Sequence, residues 1–176
     1  MSNAATSSPR WDPAFIADVI KAYDVRGLVD EQITVDFVRA VGQSFSRLMR
    51  SEGALSVVVA HDMRDSGPEL AEAFAEGVTE QGLNVINIGL ASTDEMYCAS
   101  GLLQVPGAMF TASHNPAAYN GIKLCRAGAR PVGQDTGLAT ISQELAEGVP
   151  ESNGAHGHVT NRDMLQDYAD YLNKLV

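Results

Sequence analysis

A serine, a histidine and a lysine that could perform nucleophilic or acid–base chemistry lie in one stretch, GAMFTASHNPAAYNGIK, from Gly107 to Lys123. Its apolar start predicts a buried strand, and the polar residues around Ser113 and His114 predict a turn at the strand end. Pro116 disfavours helical geometry in the residue before it and so keeps this turn open. We therefore expect Ser113 to be presented at a strand end with Lys123 within reach. On residue types alone, a plain hydrogen-bonded turn is the favoured interpretation of this loop.

Two arginines precede this stretch at positions where strands are predicted to end. Arg26 lies in KAYDVRG, residues 21–27, which is predicted to be a strand that delivers it into a turn. Arg64 follows the β-branched run LSVVVA, which is typical of a parallel strand covered on both faces. Each residue has a structural alternative, because Arg26 could be an ordinary surface arginine and Arg64 could simply pair with an aspartate.

Helices and strands alternate along the chain. Ser66 and Glu69 are expected to form a capping box for one helix, and 121–125 is expected to return as an edge strand. The order strand–helix–strand–helix–strand implies right-handed crossovers and a parallel sheet. The predicted helices are 11–20, 34–53, 66–81, 91–104, 138–147 and 160–174, and the predicted strands are 21–27, 55–60, 84–88, 107–112 and 121–125.

Polar and basic side chains should converge on one edge of this sheet, because ligands of open α/β sheets bind beyond the carboxyl ends of the strands. An anion such as phosphate is the expected ligand. An acyl-transfer triad is disfavoured, since no glycine flanks Ser113 as in G-x-S-x-G, and no phosphate-binding G-x-x-x-x-G-K-[ST] loop occurs. The converging residues are Arg26, His61, Arg64, Ser113, His114 and Lys123.

Composition narrows the class of partner. The chain has 176 residues and a net charge of −10, which argues against nucleic acid or an anionic membrane as a partner. Two cysteines do not make a disulfide framework, and the first ten residues lack the apolar centre of a signal peptide. We expect a cytoplasmic protein with a disordered tail over 1–10. His156 and His158 could be metal ligands, but a mobile loop is the favoured interpretation.

Three motifs together resemble the alpha-D-phosphohexomutases, the phosphomannomutase/phosphoglucomutase family. The run T-A-S-H-N-P followed by Y-N-G-I-K is similar to the family's phosphoserine loop. KAYDVRG is similar to its N-terminal F/A-x-Y-D-V/I-R-G segment, and HDMRDS to its D-x-R-x-S pattern. The resemblance implies domain 1 of that family, a three-layer α/β domain with a mainly parallel mixed sheet and helices on both faces.

The resemblance also implies roles for individual residues. Ser113 would carry a phosphoryl group and exchange it with a hexose phosphate through a 1,6-bisphosphate. Mg²⁺ would bind through the phosphate on Ser113, because oxygen ligands suit this ion. Lys123 is the favoured acid/base candidate, since the pKa of a lysine can fall near other cations. The implied catalytic residues are Ser113, His114, Lys123 and Arg26, and the implied substrate-binding residues are Tyr23, Arg64 and Asn115.

The chain lacks other motifs of that family. No D-G-D-x-D-R metal loop, G-E-x-S-G-H/N sugar loop or R-x-S-x-T-E-P phosphate loop occurs. Residues 11–176 are therefore expected to be domain 1 alone, without domains 2–4, partnered by the remaining domains of the same enzyme and inactive by itself. Asp is absent before Asn120, which favours phosphomannomutase/phosphoglucomutase over phosphoglucosamine mutase. A non-catalytic anion-binding module is the alternative from a different class.

Overall fold

One mixed sheet of seven strands organises the computed structural model, which describes residues 8–176. The spatial order is β1-β5-β4-β2-β3-β7, with β6 paired to β5 beside it. Strands β4, β2, β3 and β7 run parallel, whereas β5 is antiparallel to both β4 and β1. The strands are β1 (Val25–Leu28), β2 (Ser56–His61), β3 (Asn84–Leu90), β4 (Gly107–Phe110), β5 (Tyr119–Arg126), β6 (Arg130–Pro131) and β7 (Val159–Asn161).

Six α-helices accompany this sheet in the described part of the chain. Two predicted caps are confirmed: the Thr34 hydroxyl accepts a hydrogen bond from the Phe37 amide, and the Ser92 hydroxyl accepts one from the Glu95 amide. The helices are α1 (Pro13–Val19), α2 (Val35–Ser51), α3 (Gly67–Glu80), α4 (Thr93–Leu103), α5 (Leu138–Glu147) and α6 (Leu165–Asn173), with a short 3-10 turn at Gln134–Thr136.

Helices cover both faces of the sheet because the chain reverses direction within it. From β2 the chain crosses to β3 on one side through α3, and it then returns through α4 to β4 on the other side of β2. Two right-handed crossovers in opposite directions place their helices on opposite faces. The predicted three-layer α/β class is therefore confirmed, and the reversal places a crevice between the loops that follow β2 and β4.

Alternation along the strands divides the core into two clusters. On β2, Val57 and Val59 pack into the larger cluster beneath α1, α2, α3 and α5, whereas Val58 and Ala60 pack into the smaller one beneath α4. A period of two is the geometry of a strand covered on both faces. The larger cluster reaches the end of β4 through Phe110, whose ring lies 5.6 Å from that of Phe74.

The prediction that 121–125 forms an edge strand is wrong. These residues lie inside β5, which pairs with β4 on one side and with β1 on the other. The edge position belongs to β1, whose four residues reach the sheet only by pairing with β5. Local apolar pattern could not show this, because it does not reveal which distant segment covers the free side of a strand.

The predicted capping box of α3 is also wrong. Ser66 has helical backbone angles (φ −76°, ψ −12°) and makes no side-chain cap. A capping side chain needs an extended backbone to reach the free amides of the first turn. The Ser66 hydroxyl instead accepts a hydrogen bond from the Asn120 side chain at 2.8 Å.

The last predicted helix, 160–174, begins later than expected. Residues 159–161 form β7 on the edge of the sheet beside β3, and α6 starts only at Leu165. Pairing with β3 provides backbone hydrogen bonds that a helix starting at Thr160 would forgo. Of the predicted tail, residues 1–7 lie outside the described residues, and 8–10 have no regular secondary structure. No helix among the described residues has the length and apolarity needed to span a membrane.

Glu95 is a carboxyl group buried at the start of α4, with 8% of its surface exposed. Burial raises its pKa above the ordinary value of 4.5, and the charge of Asp163 adds to that effect. The folded state thus holds the Glu95 proton more tightly than the unfolded state does. The resulting loss of folding stability is absent below about pH 4.5. It is complete once the pH has risen through the folded-state pKa of Glu95.

We predict that Glu95→Gln raises the melting temperature at pH 7, because it removes a charge that folding must desolvate and hold near Asp163. The gain should shrink as the pH falls below 4.5, where the parent carboxyl is protonated in both states. Circular dichroism melts across this pH range measure the difference, with exposed Glu72→Gln as the control. A gain that persists unchanged at low pH would contradict the explanation.

Candidate functional site

Ser113 lies on the exposed loop that follows β4, at the carboxyl edge of the parallel strands. Its backbone is left-handed, with φ +54°, an uncommon conformation for a residue with a side chain. The Thr111 hydroxyl holds the turn by accepting a hydrogen bond from the Ser113 amide at 3.0 Å. Backbone strain of this kind persists only where neighbouring contacts fix it, and it is frequent at functional positions. The serine is thus presented to solvent, as the sequence predicts.

Residues 111–118, between β4 and β5, form what we call the serine loop. The guanidinium of Arg64 holds this loop by donating to four backbone carbonyls. Nη2 donates to the carbonyls of Ser113 (2.9 Å) and Asn115 (2.7 Å). Nη1 donates to those of Pro116 (2.8 Å) and Tyr119 (3.0 Å). A planar guanidinium can serve four acceptors at once because its N–H groups diverge in a fixed fork. In this arrangement Arg64 positions the loop, and its predicted contact with substrate stays a prediction.

Asp62 orients this arginine from the end of β2. Its carboxylate accepts a hydrogen bond from the Arg64 amide at 3.1 Å, and its other oxygen lies 3.5 Å from Arg64 Nε. The Asp62 amide in turn donates to the Phe110 carbonyl at 3.0 Å, which ties the ends of β2 and β4 together. The aspartate pairing that was the structural alternative for Arg64 is therefore present alongside the loop contacts.

Arg26 and Lys123 meet at a shared buried carboxylate. Asp24 Oδ2 lies 2.6 Å from Arg26 Nη2 and 3.6 Å from Lys123 Nζ. Val25 of β1 pairs with Ile122 of β5, and both are buried. Arg26 and Lys123 each follow one of these residues, so both cations project from the opposite face of the sheet. Arg26 lies within β1 rather than in a turn, which corrects the sequence-based placement.

Arg26 also connects this pair of cations to the serine loop. Its Nη1 donates to the Asn115 side-chain oxygen at 3.0 Å, while its Nε is buried without a hydrogen-bond partner among the described residues. His114 is exposed, with Nδ1 3.3 Å from Ser113 Oγ. Tyr23, next to Asp24, is 78% exposed and carries its ring free of the core. The structure therefore links Arg26 to the serine loop through Asn115 and places His114 beside Ser113.

His61 is the member of the predicted set that the structure does not join to the others. Its Nδ1 lies 2.9 Å from the Asp62 carbonyl, and its ring lines a separate groove with Pro68 and Glu72 of α3. None of its hydrogen bonds within residues 8–176 reaches the serine loop. Its place at the end of β2 was correct, but the side chain turns toward α3.

The site carries a small positive charge on an acidic chain. Arg26, Arg64 and Lys123 contribute +3 and Asp24 and Asp62 contribute −2, which leaves +1 with His114 neutral. The chain as a whole carries −10. Nearby cations favour a dianion such as a phosphorylated serine, and paired side chains keep those cations fixed without it.

Gly121 makes this arrangement possible by allowing β1 to lie close to β5. A Cβ at this position would lie 2.2 Å from the Val25 carbonyl oxygen and 3.1 Å from that of Thr111. Real Cβ atoms do not approach so closely, so any side chain would separate the strand that bears Arg26 from the loop that bears Ser113. The glycine predicted as part of a turn is thus a packing requirement inside β5.

Sequence reasoning missed several polar residues that build the site. Asp24 and Asp62 each lie two residues before an arginine, and on a strand that spacing places side chains on one face, so an i, i+2 acid–base pattern was the available signal. Thr111 and Asn120 gave no such signal. Asn120 is fully buried, donates to Ser66 and accepts from the Gly121 amide, and these contacts depend on α3 lying against β5.

Comparison with known proteins identifies the family of this site. The family model for phosphoglucomutase/phosphomannomutase, alpha/beta/alpha domain I, matches residues 17–150, most of the chain. The chain belongs to the phosphoglucomutase/phosphomannomutase family. A phosphomannomutase of Vibrio cholerae is 38% identical over 156 residues, 86% of this chain and 34% of that protein. A protein named phosphohexose mutases from Xanthomonas campestris is 42% identical over 135 residues, 76% of this chain and 28% of that protein.

Solved structures of the phosphoglucomutase/phosphomannomutase family share the fold. A family protein from Burkholderia thailandensis superposes with a TM-score of 0.80 at 28% identity, over 90% of this chain and 35% of that one. A second solved structure, a putative phosphomannomutase from Thermus thermophilus, gives a TM-score of 0.79 at 25% identity, over 97% of this chain and 37% of that one. The chain thus spans about a third of the length of its relatives.

We predict that Arg64→Lys loosens the serine loop of this domain, because an ammonium cannot serve four divergent carbonyls. The free energy of unfolding should fall by about 1.5–3 kcal/mol, the range for hydrogen bonds to charged groups. Hydrogen exchange of the Asn115 and Tyr119 amides, which close turns in the loop, should accelerate. Exposed Arg130→Lys is the matched control, and unchanged exchange in Arg64→Lys would show that the loop holds itself.

We predict that Gly121→Ala destabilises the domain by roughly 1–3 kcal/mol, the usual range for overpacking in a well-packed site. The added methyl would collide with the Val25 carbonyl and push β1 from β5. Urea denaturation measures the loss. Gly101→Ala on α4 is the matched control, because its Cβ would meet nothing within 4 Å and the change should be neutral or favourable. Equal stability of the two variants would refute this.

Proposed function

We propose that this chain is the phosphoserine-bearing domain of a phosphohexomutase that interconverts hexose 6-phosphate and hexose 1-phosphate. Ser113 would hold a phosphoryl group, pass it to the sugar phosphate and recover the other phosphate from the resulting 1,6-bisphosphate. One observation carries the proposal: an exposed serine in a strained left-handed turn, whose loop carbonyls are fixed by Arg64. Family membership supports the same reaction.

Phosphoryl transfer depends mainly on positioning and charge neutralisation, and the chain supplies both. In the forward step the bond between phosphorus and Ser113 Oγ breaks as a hydroxyl oxygen of the sugar bonds to phosphorus. The hydroxyl proton must leave, and Ser113 Oγ must gain a proton or keep its negative charge. In the return step the other phosphoryl group moves to Oγ with the same exchange reversed.

Two side chains of the site are candidates for accepting and donating these protons. His114 Nδ1 lies 3.3 Å from Ser113 Oγ and is within reach of a proton that the serine gains or loses. Lys123 is the candidate favoured from the sequence, on the expectation of neighbouring cations. Its ammonium lies beside Arg26 but shares the Asp24 carboxylate with it. Arg26 would neutralise charge on the transferred group while Asp24 and Asn115 hold it in place.

Magnesium is the metal that this proposal requires. Within residues 8–176, no cluster of three or more His, Cys, Asp or Glu side chains is arranged to hold a metal ion. Asp24 and Asp62 are engaged with arginines. This chain would therefore contribute a phosphate oxygen on Ser113, and its other ligands would come from the rest of the enzyme. When bound, the ion would neutralise phosphoryl charge.

The hexose is proposed to be mannose or glucose phosphate. The Vibrio cholerae relative is named phosphomannomutase. This chain also lacks the Asp before Asn120 that is expected of phosphoglucosamine mutases. The remaining two thirds of such an enzyme would complete the sugar site. We therefore propose that residues 1–176 alone do not turn over substrate, and a cytoplasmic location fits a reaction on sugar phosphates.

We predict that the protein purified from the organism that makes it carries one phosphate on Ser113, an added mass of about 80 Da for one HPO₃. Incubation with hexose phosphate should remove it, and hexose 1,6-bisphosphate should restore it. Peptide mass spectrometry locates the group. Ser113→Ala should abolish phosphorylation and lower turnover by roughly a thousandfold or more, as expected when a nucleophile is removed. Ser152→Ala is the control.

Two outcomes would redirect the proposal. A Ser113 that never carries phosphate, with binding of free phosphate retained, would support the alternative of a non-catalytic anion-binding module. Mutase turnover by residues 1–176 alone would contradict the claim that the catalytic site is incomplete without further domains.

A further inference from the structure

Two asparagines of the chain are followed directly by glycine, in the dipeptides Asn120-Gly121 and Asn153-Gly154. Asparagine is a thermolabile residue, because the backbone nitrogen of the next residue can attack its side-chain amide. Glycine favours this reaction, since it has no Cβ to hinder the nitrogen and restricts the backbone least. The two dipeptides share this chemistry in the unfolded chain, so the folded structure decides which of them reacts.

The fold shields Asn120-Gly121. Asn120 is 0% exposed and lies in β5, the interior strand between β1 and β4. Its side-chain nitrogen donates to the Ser66 hydroxyl at 2.8 Å, and its side-chain oxygen accepts from the Gly121 amide at 2.8 Å. The group that would leave and the nitrogen that would attack are both held in place, away from water. Reaction at this dipeptide therefore requires β5 to open.

The second dipeptide, Asn153-Gly154, lies on the surface. Residues 151–158, between α5 and β7, form no helix or strand, and both members of the dipeptide are exposed. The Gly154 amide donates to the Ser152 hydroxyl at 3.2 Å and to no backbone carbonyl of residues 8–176. Its nitrogen is thus open to solvent and is not held in a strand or a helix.

Both ends of this exposed segment are tied to the end of α3. The Gln81 side chain donates to the Pro150 carbonyl at 2.8 Å. The Gly157 amide donates to the Thr79 carbonyl, also at 2.8 Å. The backbone between these two contacts can rearrange without breaking a helix or the sheet. Asn153 can therefore reach the geometry of ring closure while the domain stays folded, as expected of a loop tip.

We propose that Asn153 is a site of spontaneous covalent modification in the folded chain, where the side-chain amide is lost through a cyclic imide formed with Gly154. The Gly154 nitrogen loses its proton to solvent and bonds to Cγ of Asn153. The bond from Cγ to the side-chain nitrogen breaks, and that nitrogen takes up a proton and leaves as ammonia. Water then opens the ring at either carbonyl, which gives aspartate or isoaspartate.

The reaction consumes one water, releases one ammonia and needs no oxidant or reductant. Either product adds one negative charge to a chain that already carries −10. The modification is independent of the proposed phosphoryl transfer, because no hydrogen bond of residues 151–158 reaches the serine loop within the described part of the chain. Asn153 can react where Ser113 phosphorylation fails, so the two proposals are distinguishable.

The experiment incubates residues 1–176 at mildly alkaline pH, in native buffer and in concentrated urea. Digestion with pepsin at acidic pH then limits further reaction, and mass spectrometry follows each Asn-Gly peptide through an added mass of about 1 Da, the change from NH₂ to OH. In native buffer we expect Asn153 to convert about tenfold or more faster than Asn120, because Asn120 reacts only when the sheet opens. In urea the two rates should be similar.

Three variants test the chemistry. Asn153→Gln should remove the product, because ring closure would need a larger ring. Gly154→Ala should slow conversion by about tenfold, since a Cβ hinders the attacking nitrogen. It should fold normally, because that Cβ would meet only the Ser152 hydroxyl, at 3.5 Å. Asn173→Gln is the matched control, because Asn173 is exposed but is followed by Lys174, and conversion at Asn153 should be unchanged.

Equal conversion of Asn120 and Asn153 in native buffer would overturn the proposal, because both would then react through unfolding. An Asn153 that converts in urea but not in native buffer would also overturn it, since the native segment would be protective. An unchanged rate in Gly154→Ala would refute ring closure with Gly154. If that variant does not fold, the comparison of the two asparagines in the parent chain decides.

Discussion

The contact on which the site depends is the guanidinium of Arg64 with the backbone carbonyls of the serine loop. A loop that leaves a sheet exposes carbonyl groups that no strand satisfies, and these groups need partners to stay in one arrangement. Arg64 supplies four donors to carbonyls between Ser113 and Tyr119, and Asp62 fixes the arginine from the end of β2. The loop is thereby held at a fixed position relative to β2, and the Thr111 hydroxyl holds the left-handed backbone of Ser113.

The second constraint is electrostatic. An acidic chain repels phosphate over long distances, so an anion site requires cations that are concentrated and held locally. Asp24 achieves this by pairing with both Arg26 and Lys123, which come from strands that are far apart in sequence and adjacent in space. The carboxylate reduces the local positive charge but fixes its position. Preorganised charge of this kind costs little reorganisation when a group is transferred, which suits phosphoryl chemistry.

The internal pairing at the carboxyl edge of the sheet is incomplete. Among the described residues, the buried side-chain donors that lack a hydrogen-bond partner are Nε of Arg26 and Nε of Arg64, and both belong to this site. The terminal nitrogens of the same two guanidinium groups are bonded to Asp24, Asn115 and the loop carbonyls. Each arginine is therefore held in place while one of its donors stays available.

The sequence by itself determined the fold class, most of the helices and the serine loop, because apolar periodicity, caps and turn residues are local signals. The helix at 138–147 and the Thr34 and Ser92 caps needed nothing beyond a few neighbouring residues. Only the tertiary structure decided that β5 is interior, that Ser66 bonds Asn120 rather than capping α3, and that His61 faces a different groove. It also decided that Arg64 serves four carbonyls that lie 49 to 55 residues away and that Asp24 joins two cations. Contacts between segments distant in the chain depend on how strands are ordered and packed, and no local pattern records that order.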